Sequence, residues 1–320
     1  MREDLYYKSR DGHTQIHGVV WKPNGMQSGK KPLCFLQIVH GMEEHIDRYE
    51  EFAEYLNQYD ICVIGNDHLG HGKSVSSQHD YGYFGKGDIA TVIVRDVHRL
   101  KKIMQKQYPD VPFVLMGHSM GSFIARNYIA RYGTGIKGAI IMGTGSQPNI
   151  VLPIGKALTG AISMFRGDHY KSKLVQNMAM GGYQKRIRSP KTSVDWLSVN
   201  EENVRKYVEN PLDGFGFTVN GYHTLFEIID RCQSDAYVNQ VPKNLPLFFV
   251  AGQEDPVGGY GEGVRKAYAR YKRAGIKDMS IKLYPGLRHE ILNEDSRKEI
   301  YEDLRLWLMR QVSGRKVSDE

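Results

Sequence analysis

Residues 113–126 read FVLMGHSMGSFIAR: an apolar run, a serine held between two glycines as G-x-S-x-G, and the start of a helical pattern. A parallel strand that must become a helix within one residue leaves that residue strained and crowds its neighbours against both elements. Gly117 and Gly121 supply the room. Such a turn projects the Ser119 hydroxyl above the carboxyl end of a sheet, where open α/β folds bind ligands, and aims a helix N-terminus at the same place. That suits a nucleophile. The same residues also suit an ordinary strand-to-helix turn capped by Ser119.

Outward from this turn the chain alternates. LCFLQIV (33–39) ends at His40-Gly41, Asp47 to Leu56 carries apolar residues near helical spacing, and ICVIGND (61–67) precedes a helix near 89–107. FVLMG (113–117), a helix from about 120 and GAIIMG (138–143) continue the order, and LPLFFVAG (245–252), a helix over about 262–274, SIKLYPG (280–286) and a closing helix over about 294–312 complete it. Short unbroken apolar runs between helices predict an α/β fold with a mostly parallel central sheet covered on both faces, because strands buried on two sides need not alternate. The opening LYYKSRDGHTQIHGVVWKP (5–23) reads as an antiparallel edge hairpin around Asp11-Gly12. Between about Ser146 and Val241 the alternation fails, giving way to a basic cluster (Lys171, Lys173, Lys185, Arg186, Arg188, Lys191) and a helix-like stretch, NIVLPIGKALTGAISMF (149–165). The organisation predicted is a core of residues 1–145 and 242–320 with an inserted helical cap, 146–241, and a polar tail, SGRKVSDE.

A serine hydroxyl at its ordinary pKa is a poor nucleophile and needs a histidine base oriented by an acid. In this kind of fold the chain order is Ser, Asp or Glu, then His. LFFVAGQEDPVGG (247–259) sets Asp255 in a turn after one strand, and IKLYPGLRHEILNED (281–295) sets His289 in a loop after the next. Separately these are a turn former before Pro256 and a polar residue near a helix start; together, in the right order, they predict a Ser119–Asp255–His289 triad. Glu254 is the rival acid. An oxyanion formed at Ser119 needs backbone N–H donors, one from Met120 and one from the VHGMEEH loop (39–45), where Met42 is the candidate and His40-Gly41 would let the backbone approach the substrate. In the cap, Val151, Ile154, Leu158, Ala161, Ile162 and Phe165 recur at three- and four-residue steps. This apolar face either packs on the core or lines an acyl tunnel, with Leu158 and Ile162 as substrate contacts.

HGMEEHIDRYEEFAEYL (40–56), NDHLGHGKS (66–74), GHSMGS (117–122), QEDPV (253–257) and YPGLRHEILNE (284–294) together resemble the monoacylglycerol lipase and lysophospholipase-like branch of the α/β-hydrolase superfamily. The likeness covers nearly the whole frame but not the cap. It implies an α/β-hydrolase fold and a serine hydrolase that cleaves carboxylic esters through an acyl-enzyme on Ser119, with Met42 and Met120 at the oxyanion-hole positions, a small-molecule acyl ester as substrate and no cofactor. One departure bears on the acyl pocket: these lipases commonly have small residues after His-Gly, where this chain has Met42-Glu43.

Other classes fit less of the sequence. His40, His45, Asp67, His68 and His71 include zinc ligands, but their spacing forms no HExxH-like signature, and Asp67 to Ser74 reads instead as a polar loop bracing the site, so no catalytic metal is expected. A non-catalytic binder would keep the frame and the pocket without turnover. An aminopeptidase or amidase, or a C–C bond hydrolase, would keep the triad; a peptidase cap needs an acid for the substrate ammonium, and here the cap is mostly basic, with Glu201, Glu202 and Asp213 as exceptions. A balance of 43 basic against 36 acidic residues gives +7, without the basic, aromatic-interleaved stripe of nucleic-acid readers, so the charge favours at most a peripheral contact with anionic membrane. Cys34, Cys62 and Cys232 make an odd number without paired spacing, which predicts buried free thiols in a reducing compartment. The opening MREDLYYKSRDG has no apolar h-region and no uncharged apolar run reaches about 18 residues, so a soluble cytoplasmic chain is expected. Oligomeric state stays open.

Overall fold

All six apolar runs read above as strands (33–39, 61–67, 113–117, 138–143, 245–252 and 280–286) contribute strands to one sheet, and the reason is burial. In a computed structural model, which describes residues 1–313, the elements run β1 (Arg2–Lys8), β2 (Gln15–Trp21), β3 (Cys34–Val39), α1 (Glu50–Asn57), β4 (Ile61–Asn66), α2 (Ile89–Gln107), β5 (Phe113–His118), α3 (Met120–Tyr132) and β6 (Gly138–Met142). Five helices follow: α4 (Val151–Arg166), α5 (Lys173–Met180), α6 (Glu201–Glu209), α7 (Val219–Gln233) and α8 (Asp235–Val238). The sheet then resumes with β7 (Leu247–Gly252), α9 (Glu262–Arg273), β8 (Met279–Tyr284) and α10 (Arg297–Ser313). The tail beyond Ser313 lies outside the described residues.

The eight strands form one sheet in the order β1-β2-β4-β3-β5-β6-β7-β8. β1 and β2 pair antiparallel, as does β2 with β4, and every pairing from β4 to β8 is parallel. Every residue of β3, β4, β5, β6 and β7 is buried, which is why these strands read as unbroken apolar runs. The edge strands β1 and β8 carry charged and half-exposed residues instead, which blunts them against further pairing. One apolar cluster, on one face, takes residues of α1 and α10; the other takes residues of α2, α3, α7 and α9. The fold is therefore the α/β-hydrolase architecture, with α7, though it belongs to the helical segment between β6 and β7, packed into the same core as α3. All three cysteines are buried and unpaired.

Register positions the chemistry. Val39 at the end of β3 pairs with Gly117 near the end of β5, so the loops that leave these two strands, carrying Met42 and Ser119, start level and side by side. β7 and β8, paired from Leu247 with Met279 to Gly252 with Tyr284, deliver the loops of Asp255 and His289 to the same edge.

Two local expectations are corrected. The closing helix starts at Arg297 rather than near 294, because the Glu294 backbone is extended (φ −77°, ψ 164°), while its carboxylate accepts hydrogen bonds from Ser198 Oγ (2.8 Å) and from the Val199 and Asn200 amides. On α4 the buried face is Leu152, Gly155 and Thr159, not the face read from apolar spacing: a Cβ at Gly155 would stand 2.7 Å from the Phe226 ring, so small residues let α4 and α7 approach closely. Ile154 is 55% and Phe165 83% exposed, while Leu158 and Ile162 are half-buried against the core.

Candidate active site

Ser119 sits between β5 and α3 with φ 55° and ψ −123°, a conformation that costs an L-residue on the order of 1–3 kcal/mol. The surroundings enforce it. Its N–H donates to the Met142 carbonyl at 3.0 Å, and its own carbonyl accepts from the Ser122 amide (2.8 Å) and hydroxyl (2.6 Å). The two flanking glycines are steric necessities: a Cβ on Gly117 would collide with the Gly121 carbonyl, and one on Gly121 with the Val39 carbonyl. Ser119 occupies the N-cap position of α3, yet its side chain makes no capping hydrogen bond, so the hydroxyl is not consumed by the helix. Met120 is the first residue of α3, and its N–H has no partner one turn back within the helix.

Asp255 and His289 meet at the same edge. His289 Nδ1 lies 2.9 Å from Asp255 Oδ2, while Asp255 Oδ1 accepts the Val257 amide at 2.8 Å; the acid is fully buried and the histidine nearly so. Glu254, the rival, is exposed. The His289 ring is flanked by His118, centroids 4.7 Å apart, and by Trp196 from the α5–α6 connection at 5.2 Å.

A cavity of about 400 Å³ brings together Gly41, Met42, Ser119, Met120 and His289, within the size range of small-molecule sites. Its far wall is mainly apolar and comes from the helical segment: Val151, Leu152, Met180, Leu225, Phe226 and Ile229. His40, Leu158 and Ile162, expected to touch substrate, are not among its lining residues. His40 is fully buried; its Nδ1 bonds the Gly41 carbonyl (2.8 Å) and its Nε2 accepts the His68 amide (3.0 Å), so it holds two loops together. Leu158 and Ile162 miss the cavity because α4 turns its Leu152 face inward.

The histidine-rich loops are occupied with internal bonds. Asp67 accepts the Ile46 and Lys73 amides and lies 2.7 Å from His17 Nδ1; burial opposes its charge, but these bonds and the nearby His40 hold its pKa down at about 2. His71 Nε2 accepts the Glu43 amide, and burial pushes the His71 pKa down to about 3.

Beneath the site lies a buried polar network that sequence reasoning did not single out. Arg48 forms a two-pronged bond to Glu290 (2.5 and 2.7 Å), reaches Glu44 at 3.1 Å and touches Asn203 of α6. Glu44 in turn accepts the Gly41 amide and the Tyr49 hydroxyl (2.8 Å) and faces His118 Nδ1 at 3.4 Å. Burial opposes charge on both partners, but the contact between them and Arg48 beside Glu44 hold the Glu44 carboxyl well below its ordinary range and lift His118 above its own. Glu290 follows His289 directly, and its N–H donates to the Leu197 carbonyl at 2.7 Å, so the network fixes the His289 loop against both halves of the chain. The available signals were adjacency, His118 before Ser119 and Glu290 after His289, and the Glu44–Arg48 spacing of four.

Glu43 is the unusual member of the HGMEEH loop. It has φ 55°, lines the cavity, is 6% exposed and leaves Oε1 without a hydrogen-bond partner among the described residues. Burial pushes its pKa up to about 7 against the Gly216 and Phe217 amides and Lys171, which pull it down. Folded protein therefore holds this proton more tightly than unfolded chain, and the stability it lends is complete below about pH 4.5 and lost as pH rises through about 7. The gap corresponds to about 3 kcal/mol. Wild-type unfolding free energy is expected to fall across that window, and Glu43→Gln to flatten the fall. Urea midpoints at pH 4.5, 6 and 8 check it; parallel profiles for the two proteins would refute the attribution.

Known proteins resemble this chain over most of its length. The family model described as serine aminopeptidase, S33, matches residues 30–296. The monoglyceride lipase of Mus musculus is 26% identical over 298 residues, covering 92% of this chain and 86% of its own. The monoacylglycerol lipase of Mycolicibacterium smegmatis is 26% identical over 304 residues, covering 93% and 94%. Among solved structures, a highly thermostable carboxyl esterase from Bacillus coagulans, in complex with glycerol, superposes with a TM-score of 0.88 at 32% identity, covering 97% of this chain and 99% of its own.

Proposed function

The chain belongs to the serine aminopeptidase, S33, family of α/β-hydrolases, and we propose that within it this protein is a serine hydrolase of carboxylic esters of the monoacylglycerol and lysophospholipid type. The observation that carries the reading is that Ser119 and an Asp255-bonded His289 open on one largely apolar cavity. With its Nδ1–H donated to Asp255, His289 keeps a lone pair on Nε2, which takes the Ser119 proton as Oγ attacks the ester carbonyl. The Met42 and Met120 amides receive the oxyanion, His289 returns the proton to the departing alcohol, and water, activated by the same nitrogen, releases the acid from Ser119. No step requires a cofactor.

Residues 146–241 act as a cap in this reading, since they supply the apolar wall opposite Ser119. Its outer surface supports a peripheral contact with anionic lipid. Ile150, Ile154, Met164, Phe165 and Leu174 are 55–83% exposed on or beside α4 and α5, with exposed Lys171 and Lys173 next to them. No helix among the described residues is long and apolar enough to cross a membrane.

The apolar wall predicts acyl-length selectivity. Each methylene buried gains about 0.8 kcal/mol, roughly a fourfold factor, while the chain still finds wall to cover. The expected result is that kcat/KM for monoacyl esters rises from acetyl to about octanoyl, and that Val151→Asp, at a half-exposed lining position in the first turn of α4, flattens the rise while acetyl-ester hydrolysis stays within a few-fold. An enzyme fastest on acetyl esters, or faster on aminoacyl amides than on any acyl ester, would overturn the lipid-ester reading and leave the triad standing.

A further inference from the structure

A second group of ligand-type side chains lies outside the cavity lining, at the seam between the loop that precedes α2 and the connection from α4 to α5. His169 Nε2 is 3.1 Å from Asp80 Oδ1, and His79 Nδ1 is 3.7 Å from the same oxygen. One ligand atom from each of the three residues lies within 4.8 Å of the other two, and no other such trio occurs among the described residues. We propose that His79, Asp80 and His169 bind a divalent first-row metal ion of the zinc type, which fastens the α4–α5 connection to the core.

Donor chemistry and geometry both support this. Two imidazoles and a carboxylate form a ligand set that zinc takes readily, with a fourth position left to water. Bond lengths of about 2.0–2.1 Å in a tetrahedron set neighbouring ligand atoms about 3.3 Å apart. Both histidine-to-Asp80 distances already lie near that value. Only the two imidazoles must close up. Their rings stack at 4.4 Å and 28°, so the in-plane lone pairs do not converge as they stand, and the His79 side chain, 72% exposed, has to turn out of the stack to share an ion with His169. His169 is the fixed partner: Tyr83 stacks on its ring at 3.9 Å, and the carbonyls on either side of it, Asp168 and Tyr170, accept the Asn220 and Val219 amides. Ser77 holds the other loop by accepting the His79 amide on its hydroxyl. Among the described residues no lysine or arginine pairs with Asp80, whose salt-bridge partners are the two imidazoles.

The ion would act on the cap rather than on the ester. His169 stands four residues after the exposed Phe165 at the end of α4, so a metal bridge to Asp80 pins the end of that apolar helix to the core. The site is independent of the chemistry assigned to Ser119.

The test uses the full chain, stripped with a chelator and titrated with Zn²⁺ against a chromophoric zinc indicator. The wild type is expected to take up one ion that His79→Ala, Asp80→Asn and His169→Ala each bind at least tenfold more weakly. Zn²⁺ is expected to raise the melting temperature of the wild type and not of the variants. Metal-free melting temperatures control for folding, and His79→Ala, at an exposed position, is expected to match the wild type. No uptake by the wild type, or uptake and melting shifts that survive in both His79→Ala and His169→Ala, would overturn the proposal.

Discussion

Ser119→Ala is expected to lower kcat on short-chain esters by on the order of 10⁶ while leaving the fold intact, because the loss falls on the bond-forming atom alone. The fold should tolerate the change. Alanine keeps the Cβ already accommodated at φ 55°, and the bonds that hold the elbow, from the Ser119 amide to Met142 and from Ser122 to the Ser119 carbonyl, are all made by backbone atoms of residue 119. No helix-capping bond is lost, since the hydroxyl makes none. On the proposed mechanism, what remains is a cavity whose Met42 and Met120 amides would still bind a carbonyl, enough for a residual rate above that of water but far below the acyl-enzyme route. Kinetics with a chromogenic acetyl or butyryl ester, beside a melting curve, give the answer, and fluorophosphonate labelling lost in the variant separates an activated serine from a pocket that merely binds. If the variant kept a tenth of wild-type turnover, Ser119 would not be the nucleophile.

The frame was legible because its strands are buried on both faces. Runs such as ICVIGN and LFFVAG have no polar face to interrupt them, and the hairpin at the opposite edge announces itself by its Asp-Gly turn. The hydrogen bond between Asp255 and His289 followed from their places after consecutive parallel strands, since adjacent strands end at one edge. Features set by contact between distant segments were not legible. Periodicity left the Leu158 and Ile162 face of α4 open between the core and the acyl site; in the structure it packs against the core, and Gly155, by admitting the Phe226 ring, turns Leu152 toward the cavity. His40 read as a substrate contact because it precedes a glycine near the site; its bonds to Gly41 and His68 turn it into a brace. The Arg48 network joins residues on three separate parts of the chain, and nothing in the local pattern of any one of them names the others.

Asp255→Asn is expected to cost about 10⁴ in kcat with little change in KM, and the reason lies in which way the new amide must point. In the wild type one carboxyl oxygen accepts the Val257 amide at 2.8 Å and the other lies 2.9 Å from His289 Nδ1. Asparagine has one acceptor and one donor to place at these two positions. The Val257 N–H demands the acceptor, so the side-chain NH₂ is turned toward His289. Nδ1 must then be the lone-pair nitrogen and Nε2 the protonated one, so in the proposed mechanism Nε2 could no longer take the Ser119 proton. The opposite orientation would keep the right tautomer but set two donors against each other at Val257 in a fully buried place, at a cost of about 1–3 kcal/mol. Substrate binding should hardly notice, because Asp255 does not line the cavity. Glu254→Gln is the matched control: that side chain is exposed, and its loss of charge is expected to change kcat by no more than a few-fold. Steady-state kinetics of the two variants on one ester decide the matter, and a larger loss from Glu254→Gln than from Asp255→Asn would move the acid to the neighbouring residue.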